Sequence, residues 1–376
     1  MDERTARMCL AAVVEPGHPA AAEAVAAYGA EQVWAGLVKP GADLPLARRA
    51  RGVLPGELLA RTIDAGMRFV IPADAEWPAA LHDLAGCEPV NQLTGEPLGL
   101  WVAGGGDLAE SAACAVAMVG SRASTAYGDT VAGDLAAELS EAGRAVVSGG
   151  AYGIDAAAHR GCLAGRTPTV AVLAGGLDVP YPAGHRPLFD RIAQRGVLVS
   201  ELAPGENPTR VRFLARNRLI AALAPGTVLV EAAARSGARN TVTWANAMGR
   251  VVMAVPGPVT SATSLTPHRL IRDAEAVLVA SAADVLELLS PLGRPNPRAR
   301  GEHRPTDDLP PEMLRLYEAV PARGSAAPGE LALRAGLSLP KCLALLDELA
   351  ELGFVLQNAV GQWQLPPRAA PAHRSR

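Results

Sequence analysis

Two short stretches combine glycine, hydroxyl and guanidinium groups in a spacing suited to an anion: Gly120-Ser121-Arg122, and Ser148-Gly149-Gly150-Ala151-Tyr152-Gly153 followed by Ile154-Asp155. Glycines let backbone amides approach an anion closely. A helix that starts just beyond them turns its unpaired N–H groups and positive dipole end to the same place. This is phosphate-binding chemistry, with Ser121 and Arg122 as further donors, and the site is expected between the two loops. The G-x-G-x-x-G pattern is absent and no Walker lysine is present, which argues against a dinucleotide enzyme and a P-loop ATPase. Asp155 reads as a brace of the glycine loop, because a bare carboxylate beside phosphate would repel it. His159 reads as a helix-packing histidine.

Further along, Arg216 and Arg218 flank Asn217 at the start of a helix. At 100° per residue the two arginines cannot share one narrow face, so one is expected to be structural while the other meets a ligand. Glu231 to Thr241 (EAAARSGARNT) ends a strand and supplies another amide-rich turn, Ser236-Gly237, capped by Asn240 or Thr241. Glu231 is either a catalytic base or the partner of an arginine. The partner reading is favoured, since no second carboxylate, metal ligand or nucleophile lies near it in sequence.

The elements that position these groups alternate. Strands are expected near 116 to 119, 144 to 148, 169 to 173, 197 to 200, 227 to 230, 251 to 255 and 276 to 279, with helices between them. Runs such as Val197-Leu198-Val199 suit strands covered on both faces, hence a mainly parallel, doubly wound, Rossmann-like α/β sheet. Both glycine loops then sit at carboxyl ends of strands, where ligands bind in such sheets. Five segments follow from composition: a small helical module at 1–65 (helices near 3 to 14, 20 to 28 and 46 to 65), the sheet domain at 66–289, a Pro-rich linker at 290–311, a winged helix at 312–367 and a tail at 368–376.

The 376 residues carry a net charge of -3 and 49% hydrophobic residues, as a globular protein does. No apolar run reaches the ~18 to 20 residues of a membrane helix and no cationic leader is present, so a cytoplasmic protein is expected. Five cysteines without C-x-x-C spacing read as buried thiols, and neither a metal nor a cofactor is expected. Charge is uneven: residues 205 to 275 hold nine arginines against four acids. Such a patch attracts polyanions.

With VGSRASTAYG (119–128), SGGAYGIDAAAH (148–159), AGGLDVPYP (174–182), SELAPG (200–205), FLARNRLIAAL (213–223), VEAAARSGARNT (230–241) and GRVVMAVPG (249–257), the chain resembles the DNA processing protein A family, also called Smf. The resemblance implies an extended Rossmann-like domain that binds and protects single-stranded DNA without turnover. It also implies loading of the recombinase RecA, a role in natural transformation and homologous recombination, and a homodimer. By motif, Gly120, Ser121, Arg122, Ser148, Gly149, Gly150, Gly153, Arg216, Asn217 and Arg218 fall in the DNA-backbone pocket. Tyr152, Asp155, Ser236, Gly237 and Thr241 complete the candidate DNA-binding set. The chain departs from the family pattern at His185, at Thr266-Pro267-His268, and at Ala274-Glu275, where Gly-Ala is usual.

Two rival readings remain. A nucleoside-monophosphate hydrolase would use the same loops with Glu231 as its acid, but only Pro225-Gly226-Thr227 stands where a Pro-Gly-Gly-x-Gly-Thr run is expected. A DNA-reading winged helix is disfavoured by its third helix, which sets one lysine against Asp347, Glu348 and Glu351. At 4% aromatic content, a long base-stacking platform is not expected.

Overall fold

The computed structural model describes residues 1–42, 44–290 and 305–366. They form two compact units, one ending at residue 290 and the other beginning at 305. The first unit opens with helices α1 (Glu3–Val13), α2 (Pro19–Tyr28), α3 (Ala30–Val38), α4 (Pro45–Ala50) and α5 (Pro55–Asp64). The single helix expected over 46 to 65 is thus two. Pro55 holds Leu54 extended and starts a new helix instead of continuing the old one. Helix α3, not expected from sequence, buries Ala30 and Trp34.

Then follow β1 (Met67–Val70), β2 (Leu100–Ala103), α6 (Leu108–Ala113), β3 (Val116–Val119), α7 (Ala126–Glu141), β4 (Val146–Ser148), α8 (Ile154–Ala164), β5 (Thr169–Val172), α9 (Arg186–Arg195), β6 (Val197–Ser200), α10 (Arg210–Ala222), β7 (Gly226–Leu229), α11 (Ala238–Ala247), β8 (Val251–Ala254), α12 (Leu265–Arg272), β9 (Val277–Leu278) and α13 (Ala282–Leu289). One nine-stranded sheet results, in the order β1-β2-β6-β5-β4-β3-β7-β8-β9. It is parallel from β6 to β9, and β1 and β2 are antiparallel additions at one edge. This is the expected mainly parallel α/β fold.

Alternation along the strands divides the core. Ala117 and Val119 of β3 face one side with Leu219 and Ile220 of α10 and Trp244 of α11, while Val116 and Met118 face the other with Leu135 and Leu139 of α7. On that second side, toward the β1 edge, Phe69 and Trp101 pack with the N-terminal helices. From β3 the chain winds through β4, β5 and β6 in one direction, and from β7 through β8 and β9 in the other. The winding reverses between β3 and β7, whose Ala117 and Thr227 are paired.

The N-terminal helices belong to the same compact unit as the sheet and are tied to it by polar bridges. Arg4 donates to Phe69 O at 2.8 Å and grips Asp74 with both nitrogens, and Trp101 Nε1 donates to Thr62 Oγ1 at 3.1 Å. Arg212 of α10 clasps Glu15 at 2.9 and 3.0 Å. Four of the five cysteines are buried, and Cys114 is half-buried. None of the described helices is long and apolar enough to cross a membrane.

The second unit contains α14 (Pro311–Ala319), α15 (Pro328–Ala335), α16 (Leu339–Glu351) and the antiparallel hairpin β10 (Leu356–Gln357) and β11 (Trp363–Gln364). Three helices and a hairpin are the element order of a winged helix. They enclose a core of Met313, Leu316, Leu331, Leu346, Leu349 and Trp363. The linker expected over 290–311 lies largely outside the described residues, and its described part holds a turn at Pro305–Asp308. The tail at 368–376 lies outside them altogether.

Candidate functional site

A cleft of about 800 Å³ opens where the winding reverses. One wall is the loop after β3 (Gly120 to Ala123), the opposite wall is the loop after β7 (Ala233 to Ala238), and helix α10 forms the third side. The site is therefore not centred between the loops after β3 and β4, as expected from sequence. Those strands wind in the same direction, and the crevice of an open parallel sheet forms where the direction changes. The glycine loop after β4 contributes Ala151 to the lining, and the first turn of α8 contributes Asp155.

On a helical wheel Phe213, Arg216, Asn217 and Ile220 fall within about 100° of one another, so α10 turns one face to the cleft. Thr209 caps that helix, accepting from Arg212 N at 3.3 Å. Four arginines line the cleft, Arg122, Arg210, Arg216 and Arg235, against one carboxylate, Asp155. The Arg122 guanidinium lies 4.7 Å from the Phe213 ring centroid, and Tyr181 leans on the same ring at 5.6 Å. Asn217 Nδ2 donates to Asn240 Oδ1 at 3.2 Å, and α11 has Gly237 at its N-cap with no side-chain cap, so the expected capping by Asn240 or Thr241, both inside the helix, does not occur.

Arg216 is 6% exposed and donates to the carbonyls of Gly149 and Val172. Its Nε has no hydrogen-bond partner among the described residues. Burial pushes the guanidinium down to about 10, offset by Asp155 and reinforced by Arg122, so it stays charged at neutral pH. A Cβ at Gly149 would overlap that guanidinium and force it to shift. Gly153 has φ +75°, and a Cβ there would overlap the Ser121 carbonyl, so the two glycine loops are in contact.

Asp155 accepts from the amides of Gly149 at 3.2 Å and Ala151 at 3.3 Å. It occupies donors that an anion would otherwise use, and burial raises its pKa against the opposing pull of Arg216. The brace expected of Asp155 is thus what its contacts describe. The rest of the loop is less available to a ligand than its glycines suggest.

Of the candidate residues, Gly120, Ser121, Arg122, Asp155, Arg216, Asn217, Ser236, Gly237 and Thr241 line the cleft. Ser148 does not: it is fully buried, and its hydroxyl donates to Met118 O at 2.6 Å. Arg218 is corrected too. It is 1% exposed on another side of α10 and pairs with Glu201, one contact at 2.6 Å. Gly149, Gly150 and Gly153 shape the neighbouring loop, while Tyr152 is exposed beside it.

Among the described residues Glu231 has no arginine partner. Its carboxylate accepts from Thr125 N at 2.9 Å, Thr125 Oγ1 at 2.7 Å and Thr263 Oγ1 at 3.0 Å, and the residue is 1% exposed. Of the positions that depart from the family pattern, His185 donates from Nδ1 to Gly150 O at 2.9 Å, His268 Nε2 accepts from Gly257 N at 3.2 Å, and Ala274 takes φ +57°. Two arginines and two aromatic residues of the cleft lie outside the candidate set: Arg210, Arg235, Tyr181 and Phe213. Arg210 and Arg235 belong to the counted arginine surplus, and Tyr181 and Phe213 lie inside quoted motifs, so their signal was present without a direction. Among the described residues no group of three or more His, Cys, Asp or Glu could hold a metal ion.

Comparison with known proteins places this architecture. The profile of the family described as DNA recombination-mediator protein A matches residues 68–290. A Mycobacterium tuberculosis protein provisionally named DNA processing protein DprA is 49% identical over 314 residues, covering 82% of this chain and 79% of that one. Among solved structures, DNA processing protein A from Streptococcus pneumoniae superposes with a TM-score of 0.62 at 28% identity, over 76% of this chain and 97% of that one. Its Helicobacter pylori counterpart, described for its mode of binding single-stranded DNA, gives a TM-score of 0.51 at 26% identity, over 60% and 97%. With the profile spanning more than half of the sequence and a relative sharing half its residues over four-fifths of it, the chain belongs to the DNA recombination-mediator protein A family, the DprA/Smf proteins.

Proposed function

We propose that the cleft holds the backbone of single-stranded DNA without chemical turnover, and that the protein protects such strands and loads RecA onto them in recombination and transformation. The carrying observation is the crevice at the β3/β7 reversal, with four arginines lining it and its single carboxylate engaged by loop amides. Such a site grips successive phosphates without reading sequence. Single strands are favoured over duplex because Tyr181, half-exposed and lining the cleft, offers ring surface to bases, and bases in a duplex are already stacked on one another. The Helicobacter pylori relative, described as binding single-stranded DNA, supports the same reading. RecA loading, a homodimer and a cytoplasmic setting rest on the family to which the chain belongs.

The hydrolase alternative needs an accessible acid. Glu231 is sealed off and engaged by two threonines, so it braces the β7 loop against the start of α7. Release of free base from AMP would restore that alternative.

The test is binding of single- and double-stranded oligonucleotides across a salt series. Wild type prefers single strands. Arg122→Ala weakens that binding about tenfold, as expected for a charge-assisted contact of 1.5 kcal/mol or so, and lowers the salt slope by about 0.7. Equal affinity for both DNA forms, with no effect of Arg122→Ala, overturns the proposal.

A further inference from the structure

Three of the four exposed tyrosines among the described residues, Tyr127, Tyr152 and Tyr181, stand beyond the carboxyl ends of the adjacent strands β3, β4 and β5. Tyr127 has its hydroxyl tied to Pro256 O at 2.6 Å. The other two present half their surface to solvent, 51% for Tyr152 and 50% for Tyr181. Tyr181 is itself part of the cleft lining, and Tyr152 follows the lining residue Ala151.

Neither ring is a loose surface side chain. Tyr152 stands edge-on to His185 at 4.5 Å between centroids, and His185 in turn stands edge-on to Phe189 at 6.0 Å. Both supporting rings are 4% exposed, and His185 is fixed by its hydrogen bond to Gly150 O. A buried column of rings thus holds an exposed one in place. Tyr181 is supported in the same way by Phe213, which carries Arg122 over its ring. Exposed ring faces cost free energy unless something apolar and flat covers them, and an ordered ring loses little entropy when it is covered.

We propose that Tyr152 and Tyr181 form a base-stacking subsite at the rim of the cleft, taking successive unpaired bases of a strand whose phosphates lie against Arg122 and Arg216. The inference rests on the single-strand reading of the cleft and deepens it: the backbone is held by charge, and the bases are held by rings on two neighbouring loops. Any base has a flat face, so the subsite is indifferent to sequence. It also discriminates against duplex, where no base face is free. His185, a departure from the family pattern, is the positioning residue beneath Tyr152.

The experiment uses the full-length chain and fluorescence anisotropy with two single strands of about a dozen residues, one of thymidine and one with abasic residues at its internal positions. Tyr152→Ala is expected to weaken the thymidine strand about tenfold with unchanged salt slope, and to leave abasic-strand affinity at the wild-type value. Tyr152→Phe, which keeps the ring, binds like wild type. Tyr181→Ala behaves as Tyr152→Ala does. Equal loss on both strands, or no loss on either, overturns the subsite. If Arg122→Ala weakens binding while neither tyrosine variant does, the subsite fails and the cleft reading stands. If wild type binds no single strand, both fail.

Discussion

Arg216 is buried and yet lines the cleft. Its guanidinium is held by two carbonyls and sits opposite Asp155, an arrangement that keeps a desolvated charge in place at the cleft wall. The arrangement depends on Gly149 having no side chain. Gly149→Ala should therefore displace the guanidinium, lowering stability by about 1 to 3 kcal/mol and single-strand affinity at least tenfold. Thermal melting and anisotropy check this, and wild-type affinity in the variant would remove Arg216 from the site. Ala274 makes the converse case. It takes φ +57°, where a Cβ is strained. Ala274→Gly should stabilise the protein by up to about 1 kcal/mol, seen as a rise in the thermal midpoint, and a fall would contradict it.

At the scale of elements, α10 joins two regions. One face carries Phe213, Arg216 and Asn217 into the cleft, while Arg212 holds Glu15 of the loop between α1 and α2 and Glu206 of its own approach loop. Hydrogen bonding from Arg212 lowers the pKa of Glu15, and hydrogen bonding from Arg4 lowers that of Asp74. A carboxylate with a lowered folded pKa adds stability above its unfolded value, about 4, and loses it as pH falls through the folded value. Both pairs are partly exposed, so each is worth about 0.5 to 1 kcal/mol. The double variant Glu15→Gln/Asp74→Asn should be less stable than wild type at pH 7 and lose less stability on acidification to about pH 3. Urea melts at the two pH values check this, and parallel losses would show that these pairs do not anchor the helices.

At the scale of the molecule, the two compact units divide the charge. The cleft is strongly basic, whereas α16, the third helix of the second unit, has Lys341 paired with Glu312 and also bears Asp347, Glu348 and Glu351. Such a helix repels a phosphate backbone. Deleting residues 305–376 should leave single-strand affinity within about twofold and its salt slope intact. Collapse of binding to a non-specific level would make the second unit the main DNA reader.

Much of this was legible in residue order alone. Short apolar strands ending in Gly-Ser-Arg or Ser-Gly-Gly are local features, because their periodicity and turn chemistry act over a few neighbours. The fold class was therefore determined by the sequence, and so was the expectation that the loops meet an anion. Which loops face each other was not, since the pairing of β3 with β7 joins segments more than a hundred residues apart. Nor could spacing decide which of Arg216 and Arg218 reaches the cleft, or that Glu231 would meet threonines instead of an arginine. Those outcomes depend on where α10 and the β7 loop come to rest against the sheet. Only the tertiary structure decided them, because a side chain's direction is local while its partner is supplied by a distant part of the chain.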